Sequence, residues 1–129
     1  MDRAALISVF DKTGLEGFAR GLHRLGYGVF ASGGTAGALE AAGVPVVSTE
    51  SVTGIVSMLG GRVKTLHPAL HAAILADGED RERMRASGRV VFDLVAVDLY
   101  PFQRTGNLPP DSCGTVELID IGGPAMARA

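Results

Sequence analysis

The chain has little that would suit an oxidising compartment, a nucleic acid or a membrane. Among its 129 residues there are one cysteine, no tryptophan and 5% aromatic residues. One cysteine excludes an internal disulfide and favours a reducing cytoplasm, and scarce aromatic side chains argue against a base-stacking surface. The formal charge of −2 gives no basic excess for nucleic acid. Because no apolar run has the length of a membrane span or signal peptide, we expect a cytoplasmic protein that binds neither nucleic acid nor membrane.

Glycine, by contrast, is abundant. The chain has 18 glycines among 129 residues, about twice the usual share of roughly 7%. The glycines separate short apolar runs from segments of helical periodicity. Strands are predicted at residues 4–9, 27–31, 44–47 and 92–99, and helices at residues 15–25, 36–42 and 71–86 and from residue 119 onwards. Pro45 confines the third strand to an edge. This alternation predicts an α/β domain whose mostly parallel sheet carries helices on both faces.

Two turns follow predicted strands and open predicted helices, at residues 11–14 (DKTG) and 32–35 (SGGT). Free N–H groups at a helix start bind anions, and the Lys12 ammonium with the Ser32 and Thr35 hydroxyls would strengthen such contacts. The alternative is simple N-capping by Thr13 and Ser32. Neither turn matches a dinucleotide or ATP fingerprint.

The densest polar cluster lies at residues 60–68. In an extended segment Arg62 and Lys64 would share one face and Thr65 and His67 the other, so two cations would converge on a phosphate or an oxyanion. The alternative is a solvated basic loop. His67 and His71 have a metal-ligand spacing, but Pro68 lies between them and no third ligand is apparent, which disfavours a metal.

Three polar residues lie beside apolar segments further along. Asp98 and Tyr100 end the last predicted strand, and Asp120 stands between two isoleucines before a Gly-Gly pair. Each aspartate is either a turn or helix cap or a functional carboxylate. Cys113 has no nearby base in sequence, which disfavours a catalytic thiol. The residues alone thus indicate a cytoplasmic α/β domain that binds a phosphorylated small molecule.

Five segments in order resemble one known family across essentially the whole chain. They are SVFDKTG (8–14), ASGGT (31–35), GRVKTLHP (61–68), LYPF (99–102) and IDIGG (119–123). The chain is therefore similar to the inosine monophosphate (IMP) cyclohydrolase domain of the bifunctional purine-biosynthesis protein. The resemblance implies a methylglyoxal-synthase-like fold of three layers, with a mostly parallel central sheet between helices.

The resemblance also implies a reaction. The family's domain joins the carboxamide nitrogen of 5-formamidoimidazole-4-carboxamide ribotide to its formyl carbon and expels water, the last step of de novo purine biosynthesis. It uses neither a metal nor an organic cofactor. The implied partners are this purine ribotide, a formyltransferase domain in the intact family protein, and a second copy in a homodimer.

Carried onto this sequence, the resemblance assigns catalytic roles to Lys64, Tyr100 and Asp120. Lys64, with N–H groups near Ile121 and Gly122, would stabilise the oxyanion, and the other two would move protons. The implied substrate-binding residues are Asp11, Lys12, Thr13, Ser32, Gly33, Gly34, Thr35, Arg62, Thr65, Asp98, Ile121 and Gly122.

The chain departs from the family at three places. The family usually has serine at the position of Phe10 and asparagine at that of Asp98, and it continues past Ala129 to a lysine thought to be catalytic. We therefore expect residues 1–129 to form one domain, shortened at its C-terminus and without the formyltransferase domain. The alternatives are a regulatory domain of the same fold that binds a phosphate or nucleotide, an inactive shortened fragment and, third, methylglyoxal synthase, whose acidic and histidine motifs are missing.

Overall fold

The computed structural model describes residues 2–61, 64–101 and 119–129. Four parallel strands form one sheet in the order β3-β2-β1-β4. The strands are β1 (Arg3–Ser8), β2 (Tyr27–Ala31), β3 (Val47–Ser48) and β4 (Leu94–Val97). The helices are α1 (Leu15–Arg24), α2 (Gly33–Ala41), α3 (Glu50–Thr53), α4 (Pro68–Leu75), α5 (Gly78–Ala86) and α6 (Gly122–Arg128), with a 3-10 turn at Leu59–Gly61.

Strand β1 is the centre of the core because it is buried on both faces. Ala5 and Ile7 pack on one face, in a cluster with buried side chains of α1 and α2. Ala4 and Leu6 pack on the other, in a cluster with α4 and Met126 of α6. Side chains alternate along a strand, so a run of four small and branched apolar residues supplies two cores at once. This arrangement confirms the predicted α/β class with helices on both faces.

Several predicted boundaries need correction. The predicted helix at residues 71–86 is two helices, because Gly78 has a left-handed φ of +42° and Asp77 occupies the N-cap position of α5. Helix α2 begins three residues before the predicted 36, and β3 begins at Val47 where 44 was predicted. Strand β4 is shorter than predicted, at Leu94–Val97. The prediction that the third strand lies at the edge is confirmed.

At the edge of the sheet where the strands begin, one carboxylate joins two strands to α5. Asp93, which precedes β4, accepts the Ala4 N–H on Oδ2 at 3.0 Å. Its Oδ1 accepts from Arg81, and also from Arg85 at 2.9 Å. Arg81 donates further to the Phe92 carbonyl at 3.3 Å. The amino edge is thus closed by a carboxylate whose charge is neutralised within the fold.

Within the described part of the chain, no helix combines the length and the apolar character needed to cross a lipid bilayer.

Candidate functional site at the carboxyl edge of the sheet

A cavity of about 330 Å³ opens at the opposite edge, where β1, β2 and β4 end. Open α/β sheets bind ligands at this edge because the loops that follow parallel strands diverge there. The start of α2, residues 60–61 and 64–66, and the start of α6 complete its wall. The lining includes these predicted site residues: Lys12, Ser32, Gly34, Thr35, Lys64, Thr65, Asp98, Tyr100, Asp120, Ile121 and Gly122.

Two lysine ammonium groups lie at the start of α2. A Cβ built on Gly33 would lie 2.8 Å from Lys64 Nζ, and one built on Gly34 would lie 3.9 Å from Lys12 Nζ. Gly33 also has a left-handed φ of +54°, which side chains disfavour. The first N–H groups of a helix have no partner within the helix and carry its positive dipole end. Lysines and helix start together make this corner of the cavity strongly attractive to an anion.

The two hydroxyls of this corner have different partners. Ser32 occupies the N-cap position of α2, yet its side chain makes no capping hydrogen bond, although the residue is only 9% exposed. Thr35 Oγ1 accepts the Val9 N–H at 3.2 Å and donates to the Val9 carbonyl at 3.1 Å. Thr35 therefore joins the end of β1 to α2, whereas the Ser32 hydroxyl remains available to a ligand in the cavity.

The turn after β1 carries Lys12 into the cavity. Its Nζ donates to the Val9 carbonyl and, at 3.3 Å, to the Phe10 carbonyl. Burial lowers the pKa of Lys12 below its ordinary value of 10.5; among nearby charges Asp98 opposes this shift, Lys64 adds to it and Asp11 opposes it. An arriving anion would reverse the shift, because it favours the charged ammonium.

The opposite wall holds a carboxylate that reaches two chain segments. Asp120 Oδ1 accepts the Gly123 N–H at 3.1 Å, and Oδ2 accepts the Tyr100 N–H at 3.4 Å. Asp120 thus fixes the first turn of α6, as a cap would, and also joins it to the segment after β4. The Tyr100 ring stands edge-on to Phe10, with centroids 5.9 Å apart. Asp120 therefore makes the cap-like contact and also lines the cavity, and its role as a functional carboxylate stays a prediction.

Thr65 and Gly122 meet at the floor of the cavity. Thr65 is buried, and a Cβ on Gly122 would lie 2.6 Å from its Oγ1. Lys64 and Thr65 both line the cavity, so the predicted placement of these two residues on opposite faces is wrong. The segment bends here, and the His67 N–H donates to the Thr65 carbonyl at 2.9 Å, so an extended geometry does not apply.

Some predicted residues lie elsewhere. Asp11 and Thr13 do not line the cavity; the Thr13 N–H donates to Asp11 Oδ1 at 2.9 Å, which closes the turn locally. Thr13 is not the cap of α1, whose N-cap is Gly14. Gly33 lies behind Lys64 and is not part of the lining. Arg62 and Cys113 lie outside the described residues.

Of the two histidines with metal-ligand spacing, His67 has a structural role. His67 is the N-cap of α4, and its Nδ1 accepts the Ala69 N–H at 3.1 Å. Within the described ranges, no three His, Cys, Asp or Glu side chains lie together as metal ligands would.

The sequence reasoning did not select several further lining residues. They are Ser8, Val9, Phe10, Gly60, Gly61, Leu66, Ile119, Gly123 and Met126. Ser8 had a usable signal, since it is the polar residue that ends a buried strand. Met126 had none, because a buried methionine on a helix normally indicates core packing.

Comparison with known proteins adds a family match. Residues 14–125 match the family model described as "MGS-like domain". The crystal structure of a protein named ForH superposes with a TM-score of 0.74 and 36% sequence identity, over 99% of this chain and 67% of that one.

Curated relatives are similar over the whole chain. The bifunctional purine biosynthesis protein PurH of Myxococcus xanthus is 52% identical over 131 residues, 97% of this chain and 25% of that protein. The PurH protein of Bartonella bacilliformis is 48% identical over 130 residues, 98% of this chain and 24% of its own length. The chain thus spans about a quarter of the length of these relatives.

Proposed function

The chain belongs to the family of MGS-like domains, and from that premise we propose that it acts in purine biosynthesis as an IMP cyclohydrolase. One observation carries this proposal. Lys12, Lys64 and the Ser32 hydroxyl, which makes no capping hydrogen bond, lie together at the start of α2. They line a cavity whose other wall holds Tyr100 and Asp120. That arrangement provides an anion-binding end and an acid–base end within one pocket of ligand size.

The anion-binding end suits the phosphate of a ribotide. Two ammonium groups and a helix start supply charge-assisted hydrogen bonds without any strongly basic surface. The Ser32 hydroxyl adds a donor that the protein itself leaves unused. Because this contact is remote from the reacting atoms, its binding energy positions the substrate for the chemical step.

The chemical step is an intramolecular ring closure. The carboxamide nitrogen forms a bond to the formyl carbon and loses one proton. The former formyl oxygen then leaves as water, which takes up two protons in all; the second comes from the N–H of the formamide nitrogen, whose bond to the former formyl carbon becomes C=N as the C–O bond breaks. A carboxamide nitrogen is a weak nucleophile, so holding it against the formyl carbon supplies much of the acceleration. The Lys64 side chain and N–H groups near Gly122 would stabilise the charge that develops on the formyl oxygen.

Proton transfer falls to the wall opposite the lysines. Asp120 holds the Tyr100 main chain and the first turn of α6, so the carboxylate and the phenol approach the cavity from one structural unit. In our proposal these two groups take the proton from the carboxamide nitrogen and return one to the departing oxygen.

The test is calorimetric titration of the chain with IMP and with inosine, which lacks the phosphate, followed by a spectrophotometric assay of ring closure. We expect IMP to bind more tightly than inosine. Lys12→Gln should weaken IMP binding by about 10- to 100-fold, since hydrogen bonds to charged groups contribute about 1.5–3 kcal/mol, and should leave inosine binding unchanged. Lys64→Met should abolish ring closure.

Arg83→Gln is the matched control, because Arg83 is a cation on α5 with 72% side-chain exposure and does not line this cavity. Equal affinity for IMP and inosine would remove the phosphate assignment. Binding of IMP without ring closure would leave a domain that only binds the nucleotide, which is what a regulatory module of this fold would do.

A further inference from the structure

We infer that Asp98 is a positioning residue: it holds the turn after β1 and thereby places the Lys12 ammonium at the start of α2. This inference rests on the proposed function only for its ligand-binding consequence. The hydrogen bonds that carry it do not depend on that function.

Both carboxylate oxygens of Asp98 accept consecutive main-chain amides. The Phe10 N–H donates to Oδ1, and the Asp11 N–H donates to Oδ2 at 3.0 Å. The Asp98 N–H in turn donates to the Ser8 carbonyl at 3.4 Å. Ser8, Phe10 and Asp11 are therefore all hydrogen-bonded to Asp98, the residue that follows the end of β4 at Val97.

Lys12 binds the same turn from its other side. The amides of Phe10 and Asp11 point to Asp98, while the carbonyls of Val9 and Phe10 accept from Lys12 Nζ. The peptide groups of the turn thus lie between a carboxylate and an ammonium. Any displacement of the turn moves the carbonyls that hold Lys12, and with them the ammonium.

Asp98 also acts on Lys12 through its charge. It favours the ammonium, against the burial and the repulsion from Lys64 that lower the Lys12 pKa. Asp11 acts in the same direction as Asp98, and Asp120 is the remaining carboxylate among the lining residues. A direct contact between Asp98 and a substrate phosphate would be repulsive, so a role through Lys12 explains an acidic residue in an anion-binding cavity.

Asp98→Asn tests the inference, because it nearly preserves shape while it removes the charge and turns one acceptor into a donor. We expect amide hydrogen exchange at Phe10 and Asp11 to accelerate by about tenfold or more, as expected when a hydrogen bond is lost. The Lys12 pKa, followed by NMR at its side-chain ¹³Cε, should fall. IMP affinity should weaken, and its decrease at alkaline pH should begin at a lower pH than in the wild type.

Asp93→Asn is the matched control, because Asp93 also accepts a β1 amide, that of Ala4, but at the other end of β4. It should lower stability and leave the Lys12 titration and the IMP affinity unchanged. If it does not fold, Arg85→Gln serves instead, since Arg85 contacts the same carboxylate from a side chain that is 46% exposed.

The wild type offers a test that needs no variant. The Phe10 and Asp11 amides should exchange more slowly than amides that lack a hydrogen-bond partner. An unchanged Lys12 titration and unchanged amide exchange in Asp98→Asn would overturn the inference, as would Phe10 and Asp11 amides that exchange in the wild type as fast as amides without a partner. Failure of the wild type to bind IMP would instead overturn the proposed function, and the exchange and titration data would still decide the role of Asp98.

Discussion

At both ends of β4 a carboxylate accepts main-chain N–H groups from β1 or the turn after it, but the two carboxylates meet different cations. Asp93, at the amino edge, is hydrogen-bonded to Arg81 and Arg85. Asp98, at the carboxyl edge, faces Lys12, whose ammonium binds main-chain carbonyls. Within residues 2–61, 64–101 and 119–129, neither Lys12 nor Lys64 forms an ion pair. The amino edge uses its cations within the fold, whereas we propose that the two lysines of the carboxyl edge bind an anionic ligand.

Under the proposed function, the two edges of one sheet separate stability from ligand binding. Charge neutralised inside the fold gains a modest amount of stability and has nothing left to offer a ligand. Two like charges kept near each other, and partly buried, cost stability, and the binding of a ligand of opposite sign would offset that cost. Substitutions at the two edges should therefore have separable effects.

The largest effect is expected at the floor of the cavity. In Gly122→Ala the new methyl group would lie 2.6 Å from Thr65 Oγ1, and overpacking of this kind costs about 1–3 kcal/mol. Because Thr65 is buried and follows Lys64 directly, the strain should displace the cavity wall. We expect IMP affinity, measured by calorimetry, to fall by about tenfold or more.

Gly37→Ala is the control, because a Cβ at Gly37 meets nothing within 4 Å. In a helix interior, alanine is more stable than glycine by roughly 0.5–1 kcal/mol. It should stabilise the chain slightly and leave IMP binding unchanged. Wild-type affinity in Gly122→Ala would show that the contact with Thr65 does not shape the site.

The next effect belongs to the amino edge. Arg81 donates to the Ala76 and Phe92 carbonyls as well as to Asp93, so Arg81→Ala should lower the free energy of unfolding in urea by about 1–3 kcal/mol. Arg85→Ala removes a single, more exposed contact and should cost below about 1 kcal/mol. Neither variant should alter the affinity for IMP. A tenfold loss of IMP affinity in either one would show that the amino edge also contributes to ligand binding.

The smallest effect concerns pH. Burial lowers the Lys12 pKa in the folded chain, so between that lowered pKa and about 10.5 the unfolded chain binds more protons at Lys12 than the folded chain. The cost of keeping Lys12 charged is therefore fully present below the folded pKa and is relieved as pH rises through this window. Stability relative to Lys12→Gln should rise in urea titrations as the pH approaches 10.5 from below. The opposite slope would mean that partners of the ammonium outweigh its burial.

The sequence predicted the fold well where one physical signal dominated. Strand β1 and helix α1 were both predicted. A strand buried on both faces reads as a continuous apolar run, whereas a helix buried along one stripe has apolar residues at intervals of three or four. The same reasoning joined α4 and α5 into one helix, since neither composition nor periodicity shows that Gly78 adopts a left-handed φ. Boundaries depend on such local geometry, which a pattern of residue types does not contain.

For the site, the residue types and their order along the chain were sufficient to select Lys12 and Ser32, because turns after parallel strands meet at one edge whatever the details of packing. Lys64 was selected from a cluster of polar residues, and Asp120 as a carboxylate between apolar neighbours. Which hydroxyl is used for structure and which is left for a ligand was decided by tertiary contacts. Thr35 is bound to Val9, 26 residues away, and Asp98 to Phe10, 88 residues away. A sequence fixes what each side chain can donate or accept, but only the fold brings distant partners within hydrogen-bond distance and so determines which groups remain free.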